Sequence, residues 1–543
     1  MTRRTLWLGL VACLLATGCE GINWSFLDPK RPDLDAAQVR GIKDPLTASL
    51  AYRDTVSQYA WVEGLRKMRV RGYGLVAGLG NHGAAQCPAK LRQRLIQEMY
   101  KRPEFQSIRP GAPAPEELVD SPDTAMVMVQ GEIPAAAPAG SHFDVYVQAV
   151  PGTQTTSLKG GRLWPCSLYL YRDVSETASV MGKVLAEAEG PISWNPFSTD
   201  SDAATQSDVR RGIAQGGGVA LEDRRIRLVL GQPSYRQATA IADRINARFG
   251  SDPVAAAESP SYVKLKLPRE YRRAPEHFLR LVLRMYVPDR PGFLDQRCRD
   301  LADEVLRETA PHAEIALAWE GIGRTALPVV RKLYTDPRKY VSFYSALAGL
   351  RLGDDLAVEV VGMHAAEKGS PYRLAGIEAL GQAPFPLRAS GPLHPLLDDP
   401  DPRIRVAAYE ALRERGDAMI RSERIGLDNF VLDRVPGGSE NLIYAKRGQT
   451  RRLVLFGDDL RFTPPLFYRD ELLTLSATEE DHDLTVVRKT PVASVVSPPI
   501  PAPYDVVSVA SLLGGEVGQD ADGNVTGLGL AYSSVVQVLG ELC

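Results

Sequence analysis

The chain has 543 residues, 44% of them hydrophobic and 24% charged, which is ordinary globular composition spread over too great a length for one compact core. Its 64 Lys and Arg against 66 Asp and Glu leave a net charge of −2, so no molecule-wide field exists to hold nucleic acid.

At the N-terminus, Arg3 and Arg4 precede an apolar stretch from Leu6 to Leu15 and then "ATGC" ending at Cys19, the pattern of an export signal over residues 1–19. "LLATGC" resembles the bacterial lipobox, although Ala16 stands where that motif more often has Leu. The resemblance implies that Cys19 is diacylated and becomes the first residue, anchoring the protein to a membrane face outside the cytoplasm, most simply the outer membrane; plain cleavage without lipid is the alternative. No later run reaches the roughly 18 to 20 apolar residues of a spanning helix. Signal removal takes Cys13, and lipidation would occupy Cys19. The other four cysteines, Cys87, Cys166, Cys298 and Cys543, are far apart and form no C-x-x-C, so zinc is not expected, and one or two disulfides of unassigned connectivity would suit an oxidising compartment.

Residues 20–40 are rich in Pro and Asp ("LDPKRPDLDAAQ") and read as a tether. Residues 41–287 mix strands and helices: "AMVMVQGEI" and "HFDVYVQAV" have strand patterns, and "YRQATAIADRINARFG" has helical spacing with Gly250 as its stop. Within this region "YGLVAGLGNHG" ends in G-x-G-x-x-G. A dinucleotide fold would need the third glycine to open a helix directly and an acidic residue about 20 positions on. Here Pro88 intervenes and no second strand follows, so no nucleotide is expected. Just upstream, Lys67, Arg69 and Arg71 alternate and in a strand would share one face. That is either a solvated surface or a face for an acidic partner, where charge orients without sticking.

Residues 288–424 are helical. "YVSFYSAL", "RLAGIEAL" and "RVAAYEAL" end at Leu347, Leu380 and Leu412, steps of 33 and 32 residues, the period of stacked helical pairs. Ala375, Ala379, Ala407 and Ala411 are expected where helices approach closely. "DDPDPRIRVAAYEALRERGD" looks like a HEAT-type repeat, and such arrays present extended binding surfaces. Strands return over 425–490, residues 491–503 ("PVASVVSPPIPAP") read as a Pro-rich linker, and 504–543 as two short helices about a glycine-rich turn. Asp520, Asp522 and Asn524 are spaced as in a calcium loop, but Val525 and Ala531 stand where the glycine and the bidentate Glu belong, so the segment reads as a solvated turn. The seven histidines show no paired ligand spacing. No metal, cofactor or catalytic residue is expected.

Several of these stretches occur in one order that resembles the flagellar P-ring family. "GYGLVAGL" is similar to that family's opening strand and glycine turn, which marks Gly72, Gly74 and Gly78; "SLKGGRL" is similar to its S-L-x-G-G-x-L, which marks Gly160 and Gly161. "GIKD" from Gly41, "VQGEIPAAAPAGSHFDVYVQAV", "RQATAIADRIN" and "YVKLKLPREYRRAPEHFLRLVLRMYV" extend the likeness over residues 41–287. More weakly, "LVLFGDDLRFTPPLFYRDELLTL" and the closing helices resemble the family's later part. The resemblance implies an α+β multi-domain fold into which an all-α HEAT-like solenoid has been inserted. It also implies a non-enzymatic subunit of a periplasmic ring in the flagellar basal body, serving motility. The expected partners are further copies of the chain, the flagellar rod, the L-ring, a protein bound by the HEAT-like insert, and the membrane through the lipid, with no nucleic acid. A non-flagellar envelope lipoprotein adaptor with the same fold is the competing expectation, and a peptidoglycan-acting enzyme the weakest one.

Overall fold

A computed structural model describes residues 49–542 except 65–66, 87, 103–113, 171–182, 194–208, 251–252, 273, 385–387, 428, 438–439, 447–449, 471–472, 490–495 and 520–524. The export signal with Cys19, the tether and the calcium-loop-like acids lie outside the described residues, as do Cys87 and Cys543.

The N-terminal part comprises α1 (Val56–Tyr59), β1 (Ala60–Glu63), β2 (Met68–Ala77), α2 (Ala89–Tyr100), α3 (Pro115–Val119), β3 (Thr124–Ile133), β4 (His142–Ala149), β5 (Arg162–Leu170), β6 (Val184–Pro191), β7 (Arg211–Ala220), β8 (Ile226–Leu230), α4 (Tyr235–Phe249), β9 (Ala255–Ser259), β10 (Tyr262–Leu265) and α5 (Pro275–Arg284). Six strands close into an antiparallel barrel in the order β2-β3-β4-β7-β6-β5. Closure leaves no free edge. Every second residue points inward: Phe143, Val145, Val147 and Ala149 of β4 are buried between half-exposed or exposed neighbours. So small a barrel has little room, and its glycines mark where backbone or a ring takes the available space. A Cβ at Gly131 or at Gly218 would lie 2.6 Å from the Phe143 ring, so Phe143 fills the gap that these two positions leave. The outer surface of β2 and β3 is covered by α2 and α3 through Leu75, Met126, Leu95, Met99 and Val119.

Beside the barrel, β1-β8-β10-β9 form a four-stranded sheet packed on α4 and α5. The Ser234 hydroxyl caps α4 by accepting from the Gln237 N–H at 3.3 Å, and Gly250 ends it with φ +90°. This part begins and ends at one seam: Val56 N–H donates to the Met285 carbonyl and Val287 N–H to the Asp54 carbonyl, each at 2.9 Å.

The helical part follows as α6 (Phe293–Glu304), α7 (His312–Ile322), α8 (Leu327–Val330), α9 (Lys339–Arg351), α10 (Asp355–Ala366), α11 (Arg373–Gly381), a 3-10 turn at Gly391–Asp398, and α12 (Pro402–Glu414). The three stretches with the common period fall on α9, α11 and α12, separated by α10 and by the 3-10 turn. The Asp-Pro entry behaves as expected: Pro402 opens α12, and Asp401 accepts from the Arg403 N–H at 2.9 Å. The close approaches differ from expectation. Ala375 is exposed. The contact belongs to Gly376, whose added Cβ would sit 3.3 Å from Ala365, and to Gly381, whose Cβ would sit 2.8 Å from Ala411.

The C-terminal part has β11 (Arg421–Ile425), β12 (Phe430–Val435), β13 (Leu442–Lys446) and β14 (Arg452–Phe456), then β15 (Leu466–Arg469), β16 (Leu473–Ala477), β17 (Leu484–Arg488) and β18 (Ile500–Ala502). These are followed by α13 (Val506–Gly514), β19 (Gly518–Gln519), β20 (Val525–Gly527) and α14 (Tyr532–Leu542). The sheets run β11-β12-β14-β13 and β15-β16-β17-β18. The end of the proposed Pro-rich linker is therefore not a linker, because Ile500–Ala502 pairs with β17. Tyr409 of α12 and Arg452 of β14 both bond the fully buried Asp433, the latter at 2.7 Å, which fastens the helices to the first of these sheets.

Candidate functional site

The two glycine motifs meet at one end of the barrel. Gly72 and Gly74 lie in β2 and face inward onto β5, where the register between the two strands is broken from Arg71 to Val76. A Cβ on Gly72 would be 2.3 Å from the Ser167 carbonyl oxygen, and one on Gly74 would be 3.1 Å from Cys166 and Leu163. These glycines let two strands approach at the crossing. Gly78 and Gly80 follow with φ of +83° and +60°, and Gly160 turns with φ +72°. Gly161 packs under them, since its Cβ would fall 2.5 Å from Val76 and 2.6 Å from Leu79. The Thr156 N–H donates to the His82 carbonyl at 2.9 Å, closing the two loops on each other.

What the G-x-G-x-x-G loop holds is a carboxylate of the same chain. The Gly80 N–H donates to Asp123 Oδ1 at 2.6 Å and the Gly78 N–H to Asp123 Oδ2 at 3.3 Å. Leu79 N–H takes the Asp123 carbonyl and Gly83 N–H the Pro122 carbonyl, each at 3.0 Å. A Cβ on Gly83 would lie 2.2 Å from the Thr124 carbonyl oxygen. The amides that cradle phosphate in a dinucleotide site are thus spent on the segment leading into β3. Asp123 was missed in the sequence because it stands 43 positions from Gly80.

Arg69 and Arg71 point outward from β2, with Lys67 just before the strand. Glu132 of β3, directly opposite Arg69, lies 3.4 Å from Arg69 and 4.0 Å from Lys67. Two exposed cations thus share one carboxylate, and such surface pairs contribute little stability. Arg71 is half-buried, bonds the Met128 sulfur and stands 5.9 Å over the Tyr73 ring. Glu132 carries no local signal that would mark it as the partner; only strand pairing brings it there.

Cys166 and Cys298 are both free and buried, so neither forms the disulfide that the export signal made an option. Burial pushes each thiol up to about 12. Cys166 borders a cleft of 390 Å³ between α2 and the barrel, lined mainly by Tyr73, Leu75, Leu95, Met99 and Trp164. The charged groups at its rim are occupied: Glu98 by Arg94 at 3.2 Å and Arg102 by Glu187 at 3.5 Å. Among the described residues no three His, Cys, Asp or Glu side chains are placed to hold a metal ion, and no helix is long and apolar enough to cross a membrane.

A buried ionic joint locks the helical part to α4 and α5. Glu314 of α7 receives Arg280 at 2.7 Å and also Arg284 of α5. Glu320, 2% exposed, meets His277 at 2.9 Å and Arg351 at 3.7 Å, while its backbone carbonyl accepts from Arg248 at 2.9 Å. Burial alone would raise the Glu320 pKa, but His277, Arg351 and Arg248 outweigh it and hold the carboxyl below its ordinary value. Arg284 and Arg280 likewise overcome burial at Glu314.

Residues 55–291 match the family model described as flagellar P-ring protein. The chain is 28% identical over 236 residues to the flagellar P-ring protein of Geobacter metallireducens, covering 41% of this chain and 58% of that protein. The corresponding protein of Nitrobacter winogradskyi is 30% identical over 230 residues, covering 40% and 56%. That of Thermotoga petrophila is 29% identical over 257 residues, covering 46% and 71%. The chain thus spans just under three fifths of the length of the first of these relatives. The match takes in the barrel, the sheet beside it and the seam, and stops just before α6.

Proposed function

We propose that this chain is a structural, non-enzymatic subunit of a flagellar P-ring-like assembly, a periplasmic bushing around the flagellar rod. The observation that carries the reading is that the family match begins at the seam, ends just beyond it, and covers one closed folding unit. Each subunit uses one patch against a different patch of the next, and the rotation per step closes a ring. A filled barrel with no free edges suits such a part, because close-packed interiors resist deformation under a turning shaft. The outward cations at Lys67 and Arg69 would face the rod or another acidic neighbour, with the L-ring as a further contact. The lipid on Cys19 would hold the ring at the outer membrane. The HEAT-like helices would form an appendage that the ionic joint on α7 carries rigidly.

Electron microscopy of isolated basal bodies tests this directly: the labelled chain should appear in a closed ring around the rod, and its deletion should stop swimming while growth continues. Intact swimming after deletion would refute it in favour of a non-flagellar adaptor.

A further inference from the structure

Outside the residues matched to the P-ring family, two exposed surfaces have complementary chemistry. The first is on α10. Its buried face carries Val358, Val361 and Ala365, while Leu356, Glu359 and Met363 form an outward stripe at helical spacing. Leu356 is 60% and Met363 59% exposed. Glu359 between them is exposed, and no cation pairs with it among the described residues.

The second surface is on the sheet that follows the helices. Arg421 of edge strand β11 lies directly opposite Arg434 of β12, and both are exposed. Like charges facing each other across an antiparallel pair are unfavourable. Neither arginine is in an ion pair among the described residues. They line a cleft of 320 Å³ together with Met419, 39% exposed, and Asp458. With Asp458 counted, the cleft keeps an excess positive charge beside an apolar side chain.

We propose that these two surfaces are the halves of a head-to-tail contact between copies of this chain: Glu359 of one copy enters the cleft of the next and pairs with Arg421 and Arg434, while Leu356 and Met363 cover Met419. A carboxylate between apolar side chains fits a pair of guanidiniums beside a methionine, since guanidinium binds carboxylate through two parallel hydrogen bonds. Both halves are solvent-exposed within the chain, so neither is satisfied internally. Because the two patches differ, the contact is heterologous, the kind that propagates around a ring. Its few side chains fall well short of the ~800 Å² per partner of a stable interface. It therefore works as a second tie beside the barrel contact, strengthened by the high local concentration in an assembled ring. The inference rests on the ring reading given above.

The test uses the full-length chain and three variants, Glu359→Arg, the pair Arg421→Glu with Arg434→Glu, and all three changes together. Self-association is followed by analytical ultracentrifugation, and folding by circular dichroism. Each of the first two variants should associate about tenfold more weakly than the natural chain. Mixing them, or combining all changes in one chain, should restore association. Unchanged association in the first two variants, or loss without rescue, overturns the contact. So does unchanged association together with loss of some other envelope protein from pull-downs, which would assign α10 to a foreign partner. Rings still seen in basal bodies carrying Glu359→Arg, with no change in association, would sink this inference and leave the ring reading standing. A natural chain that never self-associates would remove both.

Discussion

Removing the Asp123 carboxylate should open the glycine turn without touching any side chain of the turn itself. The bond to the Gly80 N–H is short, at 2.6 Å, and the one to Gly78 is long, at 3.3 Å, and exposed. A hydrogen bond to a charged group is worth about 1.5–3 kcal/mol net, so one full bond and a fraction of another give about 2–3 kcal/mol for Asp123→Ala. Asp123→Asn keeps an acceptor of the same shape and loses only the charge, so about half that cost is expected. In a chain of several folding units a global unfolding midpoint would blur the effect. Amide hydrogen exchange over residues 75–84 isolates it. At about 1.4 kcal/mol per tenfold, exchange there should accelerate roughly 30- to 150-fold in Asp123→Ala and several-fold in Asp123→Asn, with the helical part unchanged. Acceleration of less than about threefold would refute the carboxylate's role. Protection of the same amides in the natural chain by millimolar ATP or NAD would refute the argument that the loop is already occupied.

The two inward glycines of β2 should behave unequally. At Gly72→Ala the new Cβ meets a carbonyl oxygen at 2.3 Å, and overpacking of about 3 kcal/mol or loss of soluble protein is expected; at Gly74→Ala the neighbours are side chains at 3.1 Å and the cost should be about 1 kcal/mol, both read by denaturant unfolding. Glu320→Gln should destabilise by about 2 kcal/mol at pH 7, because His277 and Arg351 lose a charged partner. Since Glu320 has a lowered folded-state pKa, its contribution is complete above the unfolded carboxyl value near 4.3 and fades as pH falls through the folded value. The gap between variant and natural chain should therefore be full at pH 7 and 5 and narrow toward pH 3; a gap that widens on acidification would contradict the sign. Cys166 and Cys298, with thiols near 12, have on the order of one thiolate in ten thousand at pH 8. Neither should react with a disulfide reagent until urea is added, and mass spectrometry showing either labelled within minutes in the folded chain would contradict their burial.

Local physics made much of the fold legible. Alternation found β3 and β4, a capping Ser with a terminal Gly bounded α4, and a common period located α9, α11 and α12. Closure of the barrel was not legible. Strand β7 reads "RGIAQGGGVA", with glycine or alanine at each inward position, so it lacks the large apolar residues by which a strand is usually recognised. Those positions are small because Ile192 and Phe143 of other strands fill the space, a fact that exists only after folding. The glycine loop shows the same limit. Its chain neighbours argued against a nucleotide, but the carboxylate that replaces it comes from a distant segment. In the helices, the expectation fell on Ala375 where the contact is at Gly376. Identifying a small-residue helix does not fix its rotation to within one residue.

The seam between residues 54–56 and 285–287 has a consequence for how such a chain is built over time. Where a folding unit receives and releases its backbone at adjacent hydrogen-bonded positions, whatever comes next hangs from a single hinge-free point, and its size is invisible to the unit behind it. A lineage can lengthen, exchange or discard the appendage without renegotiating the barrel's packing. The chain is thus organised as a fixed socket with a replaceable fitting.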